Sequence, residues 1–165
     1  LMVWPYHAML GGIGHALASS VHEAMFFFTH ARLAECGYEV KGGIPITENY
    51  SVLRPEVMKT NGQAIAQKNV AFIEKLMKYD ILVVAGQAKS HCLAWTVSDL
   101  LGEIAAQASA LAKKVYLLED ATSPVVTPAY DFTDDANKAF EEFKAAGMHV
   151  VTTAQPIETW PDVTL

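Results

Sequence analysis

The chain has 165 residues, 52% of them hydrophobic and 18% charged, with a formal net charge of −6. That length suits one domain, taken here as residues 1–165, with a sizeable core. An acidic balance without a basic cluster argues against a nucleic-acid surface, and no apolar run approaches a membrane span. Two cysteines, Cys36 and Cys92, make no disulfide framework. Free thiols and the lack of a basic n-region set the expectation of a cytoplasmic protein.

The sequence opens Leu1-Met2-Val3-Trp4-Pro5-Tyr6-His7, with no initiator Met and no start of a helix or strand, so an upstream segment carrying the first strand or strands is expected. Pro5, Gly11, Gly12 and Gly14 make residues 4–14 a loop. Leu17, Val21, Met25, Phe28 and Leu33 predict a helix over 15–35, stopped at Gly37. Within it Phe26-Phe27-Phe28 fits either core or a homodimer contact, and core is the expectation. Residues 38–40 read as a short strand, followed by a loop through Asn49. Pro55 begins a helix, and 66–78 is a clearer one, with Val70, Ile73, Leu76 and Met77 on one side. Then follow a strand at 81–85, a helix at 92–113, a strand at 115–119, a helix at 135–146 ended by Gly147, and a strand at 149–152. This alternation predicts an α/β fold, doubly wound in three layers, with a mostly parallel sheet covered on both faces.

Cys92 sits where the apolar strand 81–85 gives way to the helix marked by Leu93, Val97, Leu100 and Ile104. That junction lies at the carboxyl edge of a parallel sheet, where open α/β folds bind ligands. A helix N-terminus there favours thiolate over thiol. Taken alone, Cys92 fits an inert buried cysteine as well as a nucleophile. Lys41 is expected on the same edge, where its ammonium would stabilise a thiolate, although from its surroundings alone a solvated surface lysine is the better fit. His7 could bind a metal, but no tight His/Asp/Glu cluster accompanies it. His22 and His30 are more than two turns apart, a poor ligand spacing. His91 adjoins Cys92, and adjacency alone does not make it a base. Asp120 is expected to cap the turn Ala121-Thr122-Ser123. Gly11-Gly12-Ile13-Gly14 follows no strand, so it is no dinucleotide fingerprint.

Four stretches together resemble the isochorismatase-like cysteine hydrolases, and among them the nicotinamidases. These are Trp4-Pro5-Tyr6-His7 with Gly14-His15-Ala16-Leu17, Lys41-Gly42 with Glu48-Asn49-Tyr50-Ser51, Gly86-Gln87-Ala88-Lys89-Ser90-His91-Cys92, and Glu119-Asp120-Ala121-Thr122-Ser123-Pro124. The resemblance implies an isochorismatase-like, Rossmann-like fold and cysteine-dependent hydrolysis of nicotinamide to nicotinate and ammonia through a thioester. It casts Cys92 as nucleophile and Lys41 as its lysine. It also implies a cis bond at Gln87–Ala88, an oxyanion hole from the N–H groups of Ala88 and Cys92, and a substrate pocket lined by Trp4 and Tyr50. His7 matches one ligand of a divalent metal (zinc, iron or manganese). The family's acidic aspartate and its other metal ligands, an Asp and a His, lie upstream of the Trp-Pro-x-His segment and have no match here. Ala8 and Ser90 depart from the common pattern of a cysteine and an aspartate. The expected partners are a small-molecule amide and further copies of the chain, with no organic cofactor, nucleic acid or membrane. The alternatives are another amide, carbamoyl or enol-ether substrate on the same machinery, or a non-catalytic α/β binding domain.

Overall fold

The computed structural model describes residues 3–164; Leu1, Met2 and Leu165 lie outside it. The chain divides into two compact units, residues 1–40 and 41–165.

Among its described residues the first unit holds one 3-10 turn, Ile13–His15, and one helix, α1 (Ser19–Arg32). The helix stops short of Gly37, because Leu33 takes the left-handed conformation at φ 51° and ends it. None of its residues is buried. Phe26 and Phe27 are 66% and 73% exposed, which overturns their expected place in a core. Residues 38–40 form no strand, and both Tyr38 and Val40 are exposed.

The second unit is the α/β body. Its small hairpin β1 (Lys59–Thr60) and β2 (Gln63–Ala64) turns through Asn61 and Gly62, both at positive φ. No helix begins at Pro55, where the chain instead folds back and brings the Glu56 carboxylate to the N–H groups of Tyr50 and Ser51. Asn69 caps α2 (Val70–Met77) by accepting the Phe72 N–H. Then come β3 (Leu82–Gln87), α3 (Cys92–Gln107), a 3-10 segment (Ser109–Lys114), β4 (Val115–Ser123), α4 (Thr133–Ala145) and β5 (His149–Val151). Strands β3, β4 and β5 make a parallel sheet in that order, as the alternating sequence predicts.

The period-2 alternation of the strands divides the core. Val115 and Leu117 face one side, packed with Ile73 of α2, Leu93, Val97, Leu100 and Ile104 of α3, and Phe140 and Phe143 of α4. Tyr116 and Val151 face the other, under Trp160 of the C-terminal segment. There the Tyr116 ring stacks on Trp160 at 5.4 Å and its hydroxyl donates to the Pro161 carbonyl. The apolar strand read at 81–85 is an edge strand in this sheet, with Leu82 in the core and Val83 45% exposed. Among the described residues no helix is long and apolar enough to cross a membrane.

Candidate active site

The parallel pairing brings the carboxyl ends of β3 and β4 to one edge. Four residues after β3 the chain turns into α3, whose first residue is Cys92. The turn includes a cis peptide at Gln87–Ala88, and Gly86 before it has φ 110°, a conformation that only glycine adopts without strain. Its hydrogen bonds run both within the turn and to β4. Lys89 N–H donates to the Ser123 carbonyl, while the N–H groups of His91 and Leu93 both donate to the Ala88 carbonyl. The N–H groups of Ala88 and Cys92 have no acceptor among the described residues. No side chain caps α3 either. Its N-terminus therefore offers unengaged donors beside the sulfur, a setting that favours negative charge.

Lys41 reaches the same point from a loop. Its Nζ lies 3.4 Å from Cys92 Sγ and donates to the Asn49 carbonyl at 2.6 Å. The Asn49–Leu53 segment is in turn fastened to α3. Thr96 Oγ1 accepts the Val52 N–H at 3.2 Å and donates to the Cys92 carbonyl at 2.7 Å. Arg54 pairs with Asp99, and Lys68 with Glu103, further along that helix. Cys92 is partly exposed and Lys41 exposed, so reagents can reach the pair. Among the described residues no carboxylate bonds to either of them.

Tyr50 is buried, with its ring edge-on to His91 and to Trp95, each at 5.7 Å. His91 also meets Phe132 edge-on at 4.7 Å. Ser90 Oγ accepts the Val125 N–H and lies 2.9 Å from His91 Nδ1, so its own proton is available to that nitrogen. Burial holds His91 below its ordinary value of 6.5, against an opposing pull from Asp135. Asp120 does not cap the turn after it, as expected from sequence. Its carboxylate accepts the Thr153 N–H and hydroxyl, which tie β4 to the segment after β5 and lower the acid's pKa.

A register shift follows Leu117, and Gly86 pairs with Thr122, so β4 takes five steps where β3 takes two. This bulge throws Glu119 and Asp120 out of the ladder. Glu119 meets Lys89, a buried lysine that nothing in the sequence singles out. Asn137 and Phe140, three apart on α4, also meet that ammonium, a convergence that no local pattern in the sequence announces.

Trp4 and His7 belong to the first unit. His7 is exposed and its Nδ1 contacts the Pro5 carbonyl at 2.8 Å, leaving Nε2 as the nitrogen open to a ligand. No group of three or more His, Cys, Asp or Glu side chains that could hold a metal exists among the described residues. One imidazole does not make a metal centre, so the residues present do not fit the metal that the resemblance implies.

No protein-family model matches the sequence, and no curated protein matches it. Solved structures do. Its fold is that of the nicotinamidases. The yeast nicotinamidase Pnc1p aligns over 90% of this chain and 57% of its own, with a TM-score of 0.56 and 23% identity. PnC1 from L. infantum, in complex with nicotinate, aligns over 92% and 62%, with a TM-score of 0.59 and 22% identity. The pyrazinamidase of Pyrococcus horikoshii, in complex with zinc, aligns over 91% and 63%, with a TM-score of 0.54 and 21% identity. The chain thus spans about three-fifths of the length of the structures it matches.

Proposed function

We propose that this chain carries the nucleophile and oxyanion site of a cysteine amide hydrolase acting on nicotinamide. The observation that carries the reading is the Lys41 ammonium 3.4 Å from Cys92 Sγ, at an uncapped helix start whose Ala88 and Cys92 N–H groups are unengaged. The likeness in fold to nicotinamidases and a pyrazinamidase supports an aromatic carboxamide as the substrate class.

The sulfur attacks the carboxamide carbon. A C–S bond forms, and the carbonyl π electrons move to oxygen. The N–H groups of Ala88 and Cys92 hold that oxyanion, with Lys41 adding positive charge nearby. Loss of one such donor costs about 3 kcal/mol of barrier. Collapse of the tetrahedral adduct expels ammonia and leaves a thioester, which water then cleaves to release nicotinate and the free thiol. The leaving nitrogen needs a proton, and the resemblance assigns that transfer to an aspartate with no match in this sequence. Tyr50 serves as an aromatic wall for the flat ring. Trp4 and His7 are given no step, nor is any metal.

The decisive experiment is ammonia release from nicotinamide by the intact protein and by Cys92→Ala. Turnover is expected in the first and none in the second, and undiminished turnover in Cys92→Ala ends the proposal. A panel of small carboxamides, carbamoyl amines and enol ethers separates nicotinamide from other substrates of the same machinery.

A further inference from the structure

Lys89 lies three residues before Cys92, within the turn whose N–H groups are proposed to hold the oxyanion. It is 5% exposed. Its Nζ donates to Asn137 Oδ1 of α4 at 2.9 Å, reaches Glu119 Oε1 of β4 at 3.4 Å, and stands 4.3 Å from the centre of the Phe140 ring. All three ammonium protons therefore have a destination. Its backbone N–H, meanwhile, bonds to Ser123 at the end of β4. The residue is pinned at both ends to elements other than its own.

Stability alone does not explain a charge in that place. An unbranched apolar side chain of similar length would fill the space without the cost of dehydrating an ammonium, and such exchanges are commonly neutral or stabilising. The partners would tolerate the loss, since Asn137 is exposed and the Glu119 side chain is 53% exposed, so water would replace the lysine. What an apolar chain cannot do is fix direction. Two hydrogen bonds and a ring face determine where the Nζ sits, and through four methylenes and a bonded N–H they restrict the backbone on either side.

We propose that Lys89 is a positioning residue. It anchors the Ala88–Cys92 turn to α4 and the β4 bulge, so that the Ala88 and Cys92 N–H groups stay aimed at the reacting carbonyl oxygen. This rests on the hydrolase reading above. Lys89 touches neither the substrate nor the sulfur, and it acts on the oxyanion donors rather than on thiolate formation, which Lys41 serves.

The test compares the parent protein with Lys89→Met and, as a variant at an exposed position that spares the fold, Asn137→Ala. Four quantities are read: the thermal midpoint, kcat and KM for nicotinamide, the rate of Cys92 alkylation by iodoacetamide, and the affinity for nicotinaldehyde. That aldehyde adds the sulfur to its carbon and places the thiol proton on its oxygen, so its affinity reports on the oxyanion donors without turnover. Lys89→Met is expected to keep its thermal midpoint and alkylation rate, to lose about tenfold to a hundredfold in kcat with KM little changed, and to bind the aldehyde more weakly. Asn137→Ala is expected to move the same way by less. Parental kcat in both variants overturns the proposal, as does a fall in alkylation that matches the fall in kcat. If the parent releases no ammonia but captures the aldehyde, the nicotinamide reading fails, and the aldehyde affinity of Lys89→Met alone decides the positioning role. A parent that does neither overturns both.

Discussion

An ammonium beside a sulfur supports negative charge only while it is held there, and Asn49 is what holds it. The Lys41 Nζ shares its protons between the Asn49 carbonyl and Cys92 Sγ, so the side chain cannot swing away without losing a charge-assisted hydrogen bond. Lys41→Met should therefore slow alkylation of Cys92 several-fold at neutral pH, and equal rates in the two proteins would show that the lysine does not act on the sulfur. His91 makes a different prediction. Its imidazole titrates below 6.5 in the folded chain because burial disfavours the cation. The unfolded chain binds that proton more readily, so stability from this residue is present above pH about 6.5 and drains away as pH falls toward the folded value. Denaturation midpoints measured from pH 8 to 5 should decline along that course, and His91→Phe should flatten it. Thr47, Glu56 and Thr96, which organise the lysine loop, carry no sign of this duty in the sequence. Each serves through backbone groups brought near only by the fold.

At the scale of elements, α3 does two things at once. Its apolar positions 93, 97, 100 and 104 recur at helical spacing and lie in the core, while Thr96, on another face, fastens the Asn49–Leu53 segment. Thr96→Val removes the acceptor of the Val52 N–H and the donor to the Cys92 carbonyl. It should cost about 1–2 kcal/mol, read from urea unfolding, and it should lower activity because it loosens the segment that carries the Lys41 acceptor. A variant with parental stability and activity would show the link to be incidental. The helices and strands of residues 66–151 were legible because burial against one sheet imposes period and polarity together. Residues 38–56 were not. Tyr38-Glu39-Val40 has strand composition but no ladder to join, and Pro55 has the look of a helix start but opens a fold-back that Glu56 closes. The bulge in β4 was also hidden, since nothing in Leu118-Glu119-Asp120-Ala121 marks an interruption of the ladder.

Across the whole α/β body, the sheet has two unlike coverings, helices on one face and the C-terminal segment on the other. Trp160 is 8% exposed and supplies the largest ring of that second covering. Trp160→Ala should destabilise the protein by about 3 kcal/mol, measured by guanidinium unfolding. A change under about 1 kcal/mol would mean that the segment merely rests on Tyr116. The position of the cysteine turn between β3 and α3 was readable because its residues are contiguous, whereas Lys89's partners come from residues 119, 137 and 140. Assembly of that kind is visible only once the chain is folded. The two neighbouring strands also differ in how they tolerate changes of length. With five steps of β4 spanning two of β3, the surplus backbone can absorb a gained or lost residue locally. The same insertion in β3 would reverse every side chain beyond it and carry the sulfur off its edge. Descendants of this protein should therefore vary in length in the former strand and keep a constant count in the latter.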